Sequence, residues 1–138
     1  AREAWNPAQE DVDAAIRRRT GGRGADVVLV AAATGGIVEQ AVEMSRPGAR
    51  ILLFAQTAPE QTFQLSGASL CAGDRTLLGS YSVSVDLQKE AAATIWSHDF
   101  PVEQLISHRL ELDKLNDGIG RARRPAEGSL KVMMHPQR

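Results

Sequence analysis

The chain has 138 residues, of which 43% are hydrophobic and 24% charged, the composition of an ordinary globular domain. A formal net charge of −1 argues against nucleic acid or acidic membranes as partners, and no apolar run reaches membrane-spanning length. Cys71 is the single cysteine, which excludes an internal disulfide and a zinc knuckle and fits a reducing cytoplasm. Because Arg2 and Glu3 are followed by no apolar core, no signal peptide is expected.

The first predicted helix begins near Asn6, a residue suited to the N-cap, with Pro7 at the first helical position. Gln9 lies at the position that closes a capping box. Apolar residues at helical spacing follow as far as Ile16, and Gly21 with Gly22 is expected to end the helix.

A β-α-β unit is predicted next. The segment Asp26–Ala32, unbroken apolar after its first residue, is typical of a strand covered on both faces, as in a parallel sheet. Thr34–Met44 has helical periodicity, and Arg46-Pro47-Gly48 forms a turn into a second buried strand, Ile51–Phe54. Such a crossover is nearly always right-handed.

The remaining pattern alternates strands and helices. A short helical stretch near 65–72 leads to a strand at Thr76–Tyr81, and an amphipathic helix follows with Leu87, Ala91 and Ile95 on one face. A short strand at 108–111 and a helix at 113–123 come next, the helix weakened by Gly118 and Gly120. A last strand at 130–134 completes an α/β pattern.

Several ordered segments resemble medium-chain dehydrogenases of the zinc type. In that family's nucleotide-binding domain, Thr20–Val28 is similar to the stretch that leads into the fourth strand, Arg46–Ile51 to the turn into the fifth strand, and Leu78–Tyr81 to the sixth strand. Leu105–Leu110 with Leu112–Leu115 is similar to the segment that returns toward the catalytic domain, and Ser129–Val132 to the closing strand.

The resemblance implies an α/β fold with a partial Rossmann-like parallel sheet, strands 4-5-6 of a doubly wound domain, plus a C-terminal returning segment. We expect one partial domain over residues 1–138. Residues 1–100 would form the C-terminal half of the dinucleotide-binding domain, and residues 101–138 would return toward a catalytic domain that this chain lacks.

The chain also departs from the family. The glycine-rich dinucleotide turn, the acidic residue that holds the ribose and the ligands of the catalytic zinc have no counterpart in this sequence. Val30 and Ala33 stand where relatives usually carry an acid and a glycine. We therefore expect no catalytic residue and no metal ligand here, and a chain that is either a fragment of a longer protein or marginally stable alone.

Cofactor contacts are expected at the carboxyl ends of the three strands, where parallel sheets bind ligands. By resemblance, the main chains of Phe54 and Ser82 would meet the nicotinamide carboxamide of NAD or NADP, and Lys131 would approach the phosphates. Ordinary strand-to-loop turns and a surface lysine are the alternative interpretation. The predicted contacts are Ala32, Ala33, Thr34, Phe54, Ala55, Gln56, Ser80, Ser82 and Lys131.

Other reactive side chains are given structural roles. His98, His108 and His135 lack the spacing of metal ligands, and His108 is expected to pack or hydrogen-bond within the returning segment. Cys71 is predicted to be a small buried hydrophobic residue. The basic clusters 17–19 and 121–124 are interpreted as solvated helix ends.

Two functions follow as hypotheses. In the first, the chain is part of an NAD(P)-dependent, zinc-type alcohol or polyol oxidoreductase, supplies half of the cofactor groove, and dimerises by joining Leu78–Val83 to the same strand of a second copy. The alternative is a non-catalytic remnant that acts as a sheet-edge association module. It gains plausibility from the apolar 27–31 strand, which lacks its usual neighbour and forms an unprotected edge.

Overall fold

A computed structural model of the chain describes residues 2–81, 84–126 and 128–136. They form two compact units, Ala1–Ser82 and Val83–Arg138. The first unit contains helices α1 (Val12–Arg19), α2 (Ile37–Met44) and α3 (Gly67–Cys71) and strands β1 (Ala25–Val30), β2 (Ser45–Leu53) and β3 (Thr76–Gly79). The second contains helices α4 (Val85–Trp96) and α5 (Leu115–Arg123), strands β4 (Ile106–Glu111) and β5 (Lys131–His135), and two short 3₁₀ turns, Val102–Leu105 and Leu112–Lys114. The assignment of residues 1–100 to a dinucleotide-binding domain and of residues 101–138 to a returning segment stays a prediction.

The first unit is built on a parallel sheet with the strand order β1-β2-β3. Val28 lies beside Ile51, which lies beside Leu77, and the next row is Leu29, Leu52 and Leu78. The predicted β-α-β unit, the α/β class and the partial Rossmann-like sheet are thereby confirmed. Within the described chain, β1 and β3 are the two edges of this sheet.

One face of the sheet carries the core. Val30 and Ile51 pack against Ala41 and Val42 of α2, because these residues share the face that the helix covers. The prediction that β1 is covered on both faces was wrong for the described residues: Val27 and Leu29 are 61% and 65% exposed. Alternate strand residues point to opposite faces, so helices on one side leave every second β1 side chain in solvent.

The first helix begins later than predicted. Its N-cap is Asp11, whose carboxylate accepts a hydrogen bond from the Ala14 N–H at 3.0 Å. Asn6 instead closes a separate turn, in which its side chain accepts from Ala8 N at 3.0 Å and its carbonyl from Gln9 N at 2.9 Å. The predicted N-cap at Asn6 was wrong: aspartate caps a helix as well as asparagine does, and the regular helix starts only at Val12.

The predicted turn at Arg46-Pro47-Gly48 is a bulge in the strand ladder. Ala25 pairs with Ser45 and Val27 pairs with Arg50, so Asp26 alone faces the four residues from Arg46 to Ala49. Pro47 has no N–H to give to a ladder and Gly48 has a φ of +73°, which explains why the chain leaves regular pairing here. The predicted Arg46-Pro47-Gly48 turn thus lies inside the span of β2.

The second unit pairs β4 with β5 in parallel, with α5 packed against them. Gly118 of α5 is buried, and a Cβ atom built on it would lie 3.0 Å from the Met134 sulfur and 3.4 Å from Leu110 Cδ1. The glycine that weakens the helix by propensity therefore permits close packing on the strands. The predicted amphipathic helix is present as α4, but Leu87 and Ile95 of its apolar face are 59% and 47% exposed in the described unit.

Candidate functional site: the carboxyl ends of the parallel strands

The three strands of the first unit end at one edge of the sheet. Val30, Leu53 and Gly79 are the last residues of β1, β2 and β3, and they are neighbours in the register. The segments that follow them must therefore emerge side by side. The structure confirms this common placement for the predicted site residues at positions 32–34, 54–56 and 80, while their contacts with a cofactor stay predictions.

Main-chain hydrogen bonds hold the outgoing loops against the strand ends. The N–H groups of Phe54 and Ala55 both donate to the Val30 carbonyl, at 3.0 and 2.9 Å, and the Ser80 N–H donates to the Leu53 carbonyl at 3.1 Å. These bonds extend the ladder past the strands and fix the loop backbones. They also occupy three of the N–H groups that a ligand at this edge could have used.

A cavity of about 340 Å³ lies at the ends of β2 and β3. Within the described part of the chain, its wall contains polar side chains and no charged one, so it suits a neutral polar group better than a phosphate. Thr57 was not predicted, although it directly follows the predicted Gln56, and Tyr81 lies between the predicted contacts Ser80 and Ser82. The lining residues are Leu53, Ala55, Gln56, Thr57, Gly79, Ser80 and Tyr81.

A second cleft of about 330 Å³ lies between the end of β1 and α2. Its wall is almost entirely apolar; Ala32 belongs to it, and Gln40 is its polar residue. Ala33 and Thr34 are exposed and lead into α2, with the Ile37 N–H donating to the Thr34 carbonyl at 3.4 Å. The structure thus assigns Ala32 to one cavity and Ala55, Gln56 and Ser80 to another.

The other predicted contacts differ in position. Phe54 is 64% exposed and does not line either cavity. Lys131 is the first residue of β5 in the second unit, where its side chain is exposed and its N–H donates to Ser107 Oγ at 3.2 Å. Ser82 lies outside the described residues. The assignments of Lys131 and Ser82 to a cofactor stay predictions.

The histidine and cysteine predictions had opposite outcomes. His108 Nδ1 lies 2.9 Å from Ser107 Oγ, which confirms the expected hydrogen-bonding role in the returning segment. Cys71 is exposed, so the prediction of a buried residue was wrong; it ends the short surface helix α3. Across residues 2–81, 84–126 and 128–136, no group of three or more histidine, cysteine or acidic side chains could hold a metal ion.

The charged pairs of the first unit lie away from the strand ends. Arg46 is paired with Asp26 at the start of β1, and this hydrogen bond and charge, with a smaller effect of Arg23, hold the pKa of Asp26 below its usual value. Asp13 accepts from Arg17 Nε at 2.8 Å and raises the pKa of Arg17, which also donates to the Glu43 carbonyl at 2.9 Å. These pairs connect the start of β1 to β2 and α1 to the end of α2, and none of their residues lines either cavity.

Nothing in the described chain forms a helix that is both long enough and apolar enough to cross a membrane.

Comparisons with known proteins identify the family. A family model described as zinc-binding dehydrogenase matches residues 1–97. An alcohol dehydrogenase from Thermus sp. ATN1 superposes with a TM-score of 0.84 and 26% identity, over 96% of this chain and 38% of that protein. A zinc-binding dehydrogenase from Sinorhizobium meliloti 1021 bound to NADP gives a TM-score of 0.83 at 22% identity, over 96% and 38% of the two chains.

A third solved structure, an Escherichia coli protein described as a short chain alcohol dehydrogenase complexed with NADH, gives a TM-score of 0.82 at 16% identity, over 96% of this chain and 38% of that one. The chain thus spans 38% of the length of each of these three structures. No curated protein sequence matches it. The matched family model and the sheet of strands β1 to β3 agree on one conclusion: the chain belongs to the zinc-binding dehydrogenase family and corresponds to the C-terminal half of that family's nucleotide-binding domain.

Proposed function

We propose that the chain is part of an NAD(P)-dependent, zinc-type alcohol or polyol oxidoreductase and supplies half of its cofactor groove. The observation that carries the proposal is the alignment of three parallel strand ends, Val30, Leu53 and Gly79, beside a neutral polar cavity. Ligands of doubly wound sheets bind at this edge. Two structurally similar proteins were solved with NADP and with NADH, which supports a nicotinamide dinucleotide as the ligand.

The chemistry of the walls sets the orientation of the cofactor in this proposal. The uncharged cavity at β2 and β3 would take the nicotinamide end, and the apolar cleft beside Ala32 would contact a flat, weakly polar part of the dinucleotide. Lys131 is proposed as a cationic partner of the phosphates. When bound, the cofactor supplies hydride transfer, and this chain's contribution is to hold and orient it.

Zinc does not fit the described residues, since they contain no cluster of suitable ligands. A zinc that polarises the alcohol oxygen would have to be held by groups other than the described residues, so no reaction step is assigned to these residues. The exposed thiol of Cys71 supports a reducing, cytoplasmic setting, because a free surface thiol is readily oxidised elsewhere.

The proposal is tested by calorimetric titration of the 138-residue chain with NAD⁺, NADH and NADP⁺. Saturable binding is expected, and Gly79→Phe should abolish it: Gly79 lines the cavity, and a Cβ there meets no described atom within 4 Å, so the ring can enter the space without a backbone clash. Gly120→Phe, at an equally open position on α5, is the control and should bind like the parent chain. Absence of binding to the parent chain would remove the cofactor function while leaving the family assignment intact.

A sheet-edge association module is the second candidate function. Two observations favour it: β1 is an edge strand of the described sheet, and its apolar side chains Val27 and Leu29 are 61% and 65% exposed on the uncovered face. At the opposite edge, Leu78 of β3 is 45% exposed and Tyr81 is 84% exposed, which supports the proposed homodimer contact through β3. Ser82 and Val83, the last residues of the predicted contact strand, lie outside the described residues.

A further inference from the structure

Four polar atoms surround the hydroxyl oxygen of Ser107 at the start of the β4–β5 pair. Ser107 Oγ lies 2.9 Å from the Leu130 nitrogen, 3.2 Å from the Lys131 nitrogen and 3.1 Å from the Lys131 carbonyl oxygen. It also lies 2.9 Å from His108 Nδ1. The two main-chain nitrogens can only donate and the carbonyl oxygen can only accept, whereas the histidine nitrogen can do either.

The number of lone pairs on this oxygen determines the state of the His108 ring. A hydroxyl group has two lone pairs and one hydrogen. The N–H groups of Leu130 and Lys131 occupy both lone pairs, so only the hydrogen is left for the histidine. His108 Nδ1 must therefore accept a hydrogen bond from Ser107, and the arrangement matches a neutral ring with its proton on Nε2.

We propose that Ser107 and His108 form a pH-sensitive switch that controls how firmly the start of β5 is held. When the ring is protonated, Nδ1 becomes a donor, and three donors then compete for two lone pairs. The Lys131 N–H makes the longest of these hydrogen bonds, at 3.2 Å, and is the donor that is released. The Ser107 hydrogen turns to the Lys131 carbonyl oxygen, which already lies 3.1 Å away. This inference goes beyond the proposed cofactor function, because it needs no ligand.

The surroundings of His108 leave Ser107 as the group that responds to its protonation. The half-buried His108 is two residues from Leu110, which packs on α5, so both side chains lie on the face of β4 that α5 covers. Among the described residues, the ring makes its hydrogen bond to Ser107 and no ion pair. The charged and titratable groups on the elements packed against β4 are Glu103, Asp117, Arg121, Arg123, Lys131 and His135, of which Asp117 accepts from Arg121 at 3.2 Å.

The switch is tested by an NMR titration of the 138-residue chain between about pH 5 and 8, the range in which histidine side chains change charge. Protection of the Lys131 amide against hydrogen exchange, corrected for the intrinsic pH dependence of exchange, should fall by about three- to tenfold as the His108 ring is protonated. That range corresponds to one net hydrogen bond. The Leu130 amide, whose bond is shorter at 2.9 Å, should keep its protection.

Two variants separate the switch from a general effect of acid. His108→Asn keeps an acceptor oxygen close to the position of Nδ1 but cannot gain a proton, so the Lys131 amide should stay protected throughout the titration. Ser107→Ala removes the shared oxygen, and Lys131 protection should then be low at every pH. His98→Asn is the matched control: His98 is exposed and has a φ of +61°, which asparagine tolerates, so the variant should behave like the parent chain.

Three results would overturn the switch. The first is Lys131 protection that does not change as His108 is protonated. The second is an equal loss at Leu130 and Lys131, because the whole junction would then open. The third is a pH-dependent protection of Lys131 that persists in His108→Asn. Circular dichroism checks the fold of each variant, and if His108→Asn is unfolded, the same persistence in Ser107→Ala would be decisive against the switch.

Discussion

Gly24 illustrates how a single residue constrains the first unit. Its φ is +96°, and a Cβ atom built on it would lie 2.8 Å from the Met44 carbonyl oxygen and 2.9 Å from the Arg46 nitrogen. Both atoms belong to the backbone, so neither can move aside as a flexible side chain would. The glycine therefore allows the start of β1 to approach the junction of α2 and β2.

Gly24→Ala is expected to lower the free energy of unfolding by at least about 2 kcal/mol, since it combines a strained φ with a backbone clash. Gly22→Ala is the matched control: its φ is also positive, at +83°, but a Cβ there has open space. It should cost about 1 kcal/mol. Urea denaturation of both variants gives the comparison, and equal losses would show that the close approach at Gly24 is unimportant.

Asp26 predicts a pH dependence of stability. The hydrogen bond and charge of Arg46 lower the pKa of Asp26 in the folded chain below the ordinary value of 3.8. A lowered pKa contributes stability that is present above the unfolded-state pKa and is lost as the pH falls through the folded-state value. The contribution of this pair is thus complete above about pH 5 and declines below about pH 4.

Asp26→Asn should flatten the acid side of the stability profile, measured as the urea midpoint between about pH 2 and 6. Asp99→Asn, which removes another exposed carboxylate, should leave more of the acid dependence in place. An unchanged slope in Asp26→Asn would mean that other carboxylates dominate the acid transition.

At the scale of elements, Ser107 joins β4 to the segment that enters β5. Ile106 pairs with Lys131 and His108 with Val132, so Ser107 is the extra residue at a bulge. Its hydroxyl accepts from the N–H groups of Leu130 and Lys131, at 2.9 and 3.2 Å. One side chain thereby replaces the ladder bonds that the bulge interrupts.

Ser107→Ala should destabilise the second unit by about 1 kcal/mol and accelerate amide exchange at Leu130 and Lys131, because their donors lose a protein partner. Ser84→Ala is the control, since Ser84 precedes α4 without making a side-chain cap hydrogen bond. Native-state hydrogen exchange measures both. Unaltered exchange at residues 130 and 131 would contradict the bridging role.

The packing of α5 on its strands gives a second prediction at this scale. Gly118→Leu should destabilise the second unit by about 1–3 kcal/mol, because the added atoms meet Met134 and Leu110. Gly120→Leu, on the same helix but with open space at its Cβ, should be neutral or stabilising by up to about 1 kcal/mol through helix propensity. Thermal or urea unfolding of both variants measures the change in the free energy of unfolding. Similar changes at both positions would argue against close packing of Gly118 on Met134 and Leu110.

At the scale of the whole molecule, the proposed dimer is tested by its two sheet edges. Leu78→Glu on β3 should produce monomers in sedimentation velocity if copies associate through that strand, because the charge would be buried at the contact. Leu29→Glu is the matched control on β1, where the side chain is 65% exposed. Loss of association in Leu29→Glu with a persistent Leu78→Glu dimer would place the interface at the β1 edge.

Much of this molecule could be predicted from local pattern. The apolar β1 run, the periodicity of α2 and the strand near Ile51 are strong signals, because a buried parallel strand and its crossover helix each need a characteristic spacing of apolar residues. Their order along the chain was enough to predict the parallel sheet and the edge at which its strands end. The ordered resemblance of segments predicted the family, which the comparison of residues 1–97 confirmed.

Tertiary structure decided what depends on neighbours distant in the chain. The exposed face of Val27 and Leu29 follows from helix placement, which the alternation of the strand does not reveal. The use of the Phe54, Ala55 and Ser80 N–H groups within the sheet, and the meeting of Gln56 with Tyr81 at one cavity, require the register of three strands. Apolar periodicity determines which elements form, whereas donor availability and cavity walls arise only when separate strand ends are brought together.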